Sequence, residues 1–268
     1  MSNSLELSNT VRRDVLRMTH SARKSHVGSS LCCVDIFAVL YHSIANIDPK
    51  EPEAEDRDRI VVSKGHCAAA LYATLAHVGF FPVSKLAEYC TNGSPLFGHV
   101  TVGVPGVEFS TGSLGHGLPF AVGSAIAASR DDSDRRTFAL LSDGELDEGS
   151  VWEAALLAAH HGLGGLTAII DRNGLQSLTT TEATVALEPL AAKWEAFGWN
   201  VVTVDGHSHE ELKRVLELPT TGPTCVIAET IKGKGVEFME NQVLWHYQPP
   251  SDDDLAKAIR ALEHEAQQ

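Results

Sequence analysis

Basic residues are scarce in this chain. Its 268 residues carry 21 Lys and Arg against 35 Asp and Glu, a formal net charge of -14. Most of such a surface repels phosphate backbones and anionic membranes, which argues against nucleic acid as a partner. An anionic ligand must instead be met locally, by a metal ion, a helix N-terminus or a few convergent His and Lys side chains. Long apolar runs are missing too. None approaches the ~20 residues of a membrane span, and the opening MSNSLELSNTVRRD lacks the apolar stretch of a signal peptide, so a cytoplasmic protein without membrane contact is expected. Cysteine is sparse and odd in number: Cys32, Cys33, Cys67, Cys90 and Cys225 show no CxxC spacing. Reduced, mostly buried thiols are expected, not a disulfide frame or a zinc site. Neighbours in sequence rarely face each other, so Cys67 beside His66 is not read as a nucleophilic pair. There is no Walker-type Gly-Lys-Ser/Thr, and the one dense glycine cluster, Gly112 to Gly117, does not follow an early strand as a dinucleotide fingerprint must.

What is present is a core. Hydrophobic residues make up 43% and charged residues only 21%, which excludes disorder. With no internal repeat and no low-complexity linker, residues 1–268 read as a single large domain. Val11, Val15, Met18 and Ala22 recur at helical spacing, and a second helical stretch covers 34–41. Five β-branched or continuously apolar runs read as strands: 59–63, 138–141, 166–170, 201–204 and 225–228. Continuous runs imply burial on both faces. Helical patterns lie between them, at 66–78, after Leu118, and after Ser150-x-x-Glu153 and Ser208-x-x-Glu211, where Ser and Glu stand at capping-box spacing; the last of these runs to Leu218. A capped amphipathic helix follows Ser251. Strand alternating with helix demands right-handed crossovers, hence an α/β fold with a parallel sheet and helices on both faces. Residues 79–111 are the least regular, and so long a connection is usually functional.

In an open parallel sheet, ligands bind beyond the carboxyl ends of the strands. Two strands deliver polar residues there: Ser142-Asp143-Gly144-Glu145-Leu146-Asp147-Glu148-Gly149 after one, Asp171-Arg172-Asn173-Gly174 after the next. Asp143 and Asn173 read either as ordinary loop residues that cap helices or as hard oxygen ligands suited to Mg²⁺ or Ca²⁺.

Asp143-Gly144 followed thirty residues later by Asn173 resembles the metal-binding motif of thiamine-diphosphate enzymes. Around it stand His26 in Lys-Ser-His-Val-Gly, His66 in Ser-Lys-Gly-His, His99 in Gly-His, the run Ser110 to Gly117, and His246 after Ile231-Lys232-Gly233-Lys234-Gly235. Over nearly its whole length the chain resembles the N-terminal, diphosphate-binding half of transketolase. The resemblance implies a thiamine-diphosphate-binding fold and an enzyme that transfers a two-carbon ketol unit between sugars or sugar phosphates. Asp143 and Asn173 would hold Mg²⁺ (or Ca²⁺) by side-chain oxygens, with the Leu175 carbonyl as a further ligand. Gly144 would pack on the diphosphate, and Gly112, Ser113 and Leu114 would lie along the aminopyrimidine. His66 and His246 would stand near the diphosphate and reacting centre, His26 and His99 at the sugar's first carbons. Glu148, also expected at the cofactor, and Glu153 would belong to a buried acid network linking paired sites across a dimer interface. Neutral imidazoles suit ketol transfer, since they donate and accept protons near neutral pH.

The chain stops at Gln268, soon after the His246 motif. The resemblance therefore implies a separate C-terminal transketolase subunit, whose pyrimidine-binding domain supplies the activating glutamate, in an α2β2 assembly. Some positions depart from the family: Ser142 replaces a Gly, Ser113 a Pro and His116 a Gln, and Gln176-Ser177-Leu178 and Tyr247-Gln248-Pro249 differ from the usual continuations. These line the mouth of the site more than its metal end, so a specialised sugar is expected over the pentose phosphates. Competing expectations are a deoxyxylulose phosphate synthase-like or 2-oxoacid dehydrogenase-like subunit, or a non-catalytic regulatory homologue. Among the other histidines, His207 and His209 are expected at a turn and helix cap.

Overall fold

Each of the five apolar runs becomes a strand: β1 (Arg59–Val62), β2 (Thr137–Ser142), β3 (Leu166–Arg172), β4 (Asn200–Asp205) and β5 (Thr224–Glu229). The computed structural model describes residues 3–218 and 220–265. Among these the strands form one parallel sheet in the order β1-β2-β3-β5-β4, with β5 inserted so that Thr224 pairs with both Thr167 and Asn200. Helices in chain order are α1 (Ser4–Ala22), α2 (Val27–Leu31), α3 (Val34–Val39), α4 (Ala68–Val78), α5 (Gly117–Arg130), α6 (Gly149–His160), α7 (Thr181–Thr184), α8 (Leu190–Ala196), α9 (His209–Leu216) and α10 (Asp252–Glu265). Alternate strand residues point to opposite layers. Ile60, Phe138, Leu140, Ile169 and Val226 pack with α1, α3, α4, α9 and α10, whereas Val61, Ala139, Leu141, Ala168 and Ile170 pack with α5, α6 and α8. Burial on both faces explains the continuous apolar runs of β2, β3 and β5, whereas β4, expected to be buried likewise, is an edge strand with Asn200, Thr203 and Asp205 exposed.

Local signals set most helix starts. Asn3 Oδ1 accepts the Glu6 N–H (2.9 Å) and opens α1, and Ser251 Oγ accepts the Asp254 N–H (3.2 Å) ahead of α10. Ser208 caps α9 as expected, accepting from the Glu211 N–H (3.3 Å), although the helix ends at Leu216 instead of Leu218. The capping box expected at Ser150 does not form. That helix begins at Gly149, and the Ser150 hydroxyl donates instead to the Gly115 carbonyl (2.7 Å). Gly115, at φ +79°, comes so close that a Cβ there would lie 2.5 Å from Ser150 Oγ, so the serine serves tertiary packing.

The stretch Val27–Ile44 matches a membrane span in length and hydropathy, contrary to the expectation that no run would, but 89% of it is buried in the fold as α2, α3 and a π turn at Leu40–Ile44. It is a core segment. Four of the five cysteines are buried, Cys90 is half-buried, and all are free. The irregular stretch 79–111 is well anchored. Leu86, Tyr89, Leu96 and Val100 sink into the core, and Tyr72 Oη donates to the His99 carbonyl (2.9 Å) while accepting the Thr101 N–H (3.1 Å).

Candidate active site

The carboxyl ends of β1, β2, β3 and β5 frame a cleft of about 300 Å³, and His26, His66, His99, His246, Asp143 and Asn173 all line it. The four histidines come from segments far apart in sequence. His66 sits on the 3₁₀ turn just after β1, His99 on the long connection and His246 on a 3₁₀ turn before α10. His26 precedes α2 in the left-handed region (φ 73°), and its backbone N–H donates to the His246 carbonyl (2.8 Å). The His26 ring lies 5.4 Å from His66, 5.5 Å from His99 and 5.1 Å from His246, centroid to centroid, with His66 and His246 5.7 Å apart.

Burial and neighbouring positive charge keep His26, His66 and His246 neutral. Burial, then His99, Lys232 and Lys64, push His26 down to about 4; burial, Lys232 and His26 push His246 down to about 3. His66 falls well below its usual range through burial and Lys64. An unfolded histidine takes up its proton near ~6.5. Below that pH the unfolded chain binds protons that the folded chain refuses, so stability falls as pH drops from about 6.5 towards 4. Urea midpoints at about pH 7 and pH 5 should reveal this loss, and His26→Asn, which tolerates the left-handed backbone, should lessen it.

Asp143, 1% exposed, ends β2 with its carboxylate accepting the N–H groups of Gly144 (2.8 Å) and Gly174 (2.7 Å). The second bond folds the loop after β3 onto Asp143 and brings Asn173 and Leu175 into the same cleft. Asn173 Oδ1 accepts the Leu175 N–H (3.2 Å), and the Leu175 carbonyl accepts from Lys232 Nζ (3.1 Å). Burial and the neighbouring Asp171 hold the Asp143 carboxyl above its usual range. A divalent cation among these oxygens would relieve that unfavourable charge, and the donors are hard oxygens only. Among the described residues no cluster of three or more His, Cys, Asp or Glu offers a softer metal site. The residues fit Mg²⁺ or Ca²⁺.

Comparison with known proteins gives the family of the chain. The family described as "Transketolase, thiamine diphosphate binding domain" matches residues 4–268. The chain belongs to the transketolase family. It is 40% identical to one of the subunits of apulose-4-phosphate transketolase from Phocaeicola vulgatus, covering 97% of this chain and 94% of that one. It is 37% identical to a 6-deoxy-6-sulfo-D-fructose transketolase subunit of a Clostridium species, covering 96% and 95%. The crystal structure of Campylobacter jejuni transketolase superposes with a TM-score of 0.91 at 30% identity, over 97% of this chain and 42% of that one. The chain thus spans about two fifths of the solved transketolases it matches.

In this transketolase domain, Gly112 and Leu114 line the cleft with Gly144 and Leu175, whereas Ser113 and Glu148 do not. Gly144 has no room for a Cβ, but the atom it would meet is Gln176 Cγ at 2.9 Å, so Gln176 covers the glycine expected against the diphosphate. Glu148 and Glu153 are exposed on this chain and form no buried acid pair within it; both stand on or beside α6, facing outward. The buried carboxyl here is Glu145, 0% exposed, which accepts from Ser63 Oγ and from the N–H groups of Gly115 (2.8 Å) and Ser142 (3.2 Å).

Two lysines were not expected from the sequence. Lys64, 1% exposed, pairs with the buried Asp171 behind the oxygen loop, with Cys32 Sγ 3.1 Å from its Nζ. Lys232, 2% exposed, reaches into the cleft and donates to the Leu175 carbonyl and to His246 Nδ1 (3.2 Å). An ammonium donor requires a lone pair at Nδ1, which leaves the His246 proton on Nε2. Both lysines follow closely on strand ends, and a lysine at a buried sheet edge was the signal available.

Proposed function

We propose that the chain is the diphosphate-binding subunit of a two-chain transketolase, dependent on thiamine diphosphate and Mg²⁺, that moves a two-carbon ketol unit from a ketose donor to an aldose acceptor. The observation that carries this reading is one cleft lined both by the oxygen donors Asp143, Asn173 and Leu175 and by the clustered rings of His26, His66, His99 and His246. Asp143, Asn173 and the Leu175 carbonyl would hold the metal ion, and Lys232 would add positive charge for the diphosphate. Bound there, thiamine diphosphate supplies the electron sink for carbon–carbon cleavage. His26 and His99 hold the donor's first hydroxyls, His66 accepts and returns protons at the reacting carbon as a neutral imidazole, and His246 donates there from Nε2. Relatives named for a phosphate-bearing and a sulfo-bearing sugar support a specialised, anion-tailed ketose as donor. Their designation as subunits supports a partner chain carrying the pyrimidine-binding domain, in an α2β2 assembly.

Steady-state ketol transfer by the assembled enzyme, run against a panel of ketose phosphates and sulfonates, is the test. His26→Ala and His99→Ala should each lower kcat/KM by about 10²-fold, the range for one acid–base or hydroxyl contact, while thiamine diphosphate affinity changes less than about threefold. Cofactor loss in either variant would move those histidines out of the sugar site. Absence of transfer with every donor would remove the function.

A further inference from the structure

His207 stands in the turn after β4 and His209 opens α9 behind the Ser208 cap, as expected, but both rings also turn to one buried carboxylate. Asp35, 4% exposed, receives Arg12 and His207 Nδ1 (2.7 Å) on one oxygen and His209 Nε2 (3.0 Å) on the other. His207 has a second contact: its Nε2 accepts the backbone N–H of Ile231 (2.8 Å). A ring nitrogen that accepts carries no proton, so the proton sits on Nδ1 and is donated to Asp35. The carboxylate thereby fixes the tautomer that Ile231 needs.

Ile231 lies beyond the end of β5, so its N–H has no ladder acceptor and would be left half-buried without one. On one side is Thr230, whose hydroxyl donates to Asp171 and whose N–H donates to the Arg172 carbonyl (3.0 Å). On the other is Lys232, then Gly233, whose N–H donates to the Gly28 carbonyl (3.0 Å). Every residue of 230–233 is therefore tied to a neighbouring element, and Lys232 is the one whose side chain enters the cleft. A Cβ on Gly28 would lie 3.5 Å from Lys232 Cγ, so the stem of that side chain runs over α2 in a narrow path and a backbone shift would carry the ammonium with it.

We propose that His207 is a positioning residue for Lys232: by accepting the Ile231 N–H it sets the backbone from which the ammonium reaches the Leu175 carbonyl and His246. The inference rests on the reading of the cleft as a thiamine-diphosphate site. His207 touches nothing in that cleft itself. It acts through one backbone bond, with Arg12, Asp35 and His209 holding its ring.

A double-mutant cycle on the assembled enzyme tests this, with affinity for thiamine diphosphate in saturating Mg²⁺ measured by calorimetry. Lys232→Met should weaken binding at least about tenfold, and His207→Leu also about tenfold. Combined, they should bind no worse than Lys232→Met to within about twofold, because residues acting as one unit are not additive. His207→Gln keeps an acceptor for Ile231 and should restore affinity to within about threefold of the wild type. Amide exchange at Ile231, read on the unliganded chain, should be slow in the wild type and in His207→Gln and fast in His207→Leu. Additive losses overturn the inference, as does normal affinity in a folded His207→Leu whose Lys232→Met counterpart binds weakly, or fast exchange at Ile231 in the wild type. Unchanged affinity in Lys232→Met removes the reading of the cleft, and the inference with it.

Discussion

Replacing Asp143 by alanine is expected to lower affinity for thiamine diphosphate and its metal ion at least about 100-fold, roughly 2.8 kcal/mol. Three effects add in one direction. A hard ligand is lost, the negative charge that favours the cation disappears, and the loop carrying Asn173 loses the bond from the Gly174 N–H that folds it into the cleft. The unliganded fold should suffer less. The Gly144 and Gly174 N–H groups both lose their acceptor, at about 1–3 kcal/mol for each left unsatisfied. Both glycines are half-buried at the cleft, however, where water can replace it, and removal of a carboxyl held above its usual range by burial and Asp171 relieves part of the rest. Thermal unfolding separates these contributions: cofactor with Mg²⁺ should raise the wild-type Tm and leave that of Asp143→Ala unmoved, since ligand stabilisation follows occupancy. Asp143→Asn, which keeps an oxygen for the cation and the Gly174 N–H and loses the charge, should bind more weakly than the wild type but better than the alanine variant. A Tm rise in either variant equal to the wild type's would exclude Asp143 as the metal ligand.

The fold was largely legible because burial writes itself into composition. Phe138 to Leu141 and Leu166 to Ile170 had to be apolar on both faces, and that continuity separates them from the helices, whose apolar residues recur every three or four. Shorter elements were not. The chain of α7 and α8 is a short capped turn and a seven-residue helix anchored mainly by Leu190 and Trp194, too little sequence to show a period. The serine at position 150 misled for a physical reason. Capping chemistry is a hydroxyl offered to whichever partner is closest, and tertiary structure put the Gly115 carbonyl there first.

In the site, motif residues such as His66, Asp143 and Asn173 were legible since each lies at the end of a strand, where a parallel sheet gathers its ligands. Convergence was not: His26, His99 and His246 meet only because α2, the long connection and the turn before α10 come together over the sheet edge. The lysines and the Asp35 cluster were hidden for another reason. Their meaning depends on which carboxylate they face, and Arg12 to Asp35 or Lys64 to Asp171 is a pairing that only packing decides.

Mixed with thiamine diphosphate, Mg²⁺ and a ketose donor, this chain alone should transfer no ketol unit above background, and a partner carrying the pyrimidine-binding domain should raise the rate by roughly 100- to 10,000-fold, the span of one acid–base group. Two features of the chain favour that outcome. Its buried acids at the cleft are already committed: Asp143 to Gly144 and Gly174, Asp171 to Lys64 and Thr230, Glu145 to Ser63, Gly115 and Ser142, so none is free to reach the far end of a bound cofactor. Its cleft is also open. Leu178 is 81% exposed, and Leu244 and Tyr247 are each 57% exposed close to Gln176, Ser177 and His246, an apolar rim that a second chain would cover. Covering it would expel water from the reacting carbon and bury the rim residues together. Leu178→Asp should therefore weaken partner binding by about tenfold or more, as a charge placed in an apolar contact must be desolvated, with little change in the unfolding of the chain by itself. Rate titrations of chain against partner, made with wild type and Leu178→Asp, separate the two requirements. Full ketol transfer by the lone chain would overturn the two-chain reading, and a partner that activates both proteins at the same concentration would place its docking surface elsewhere.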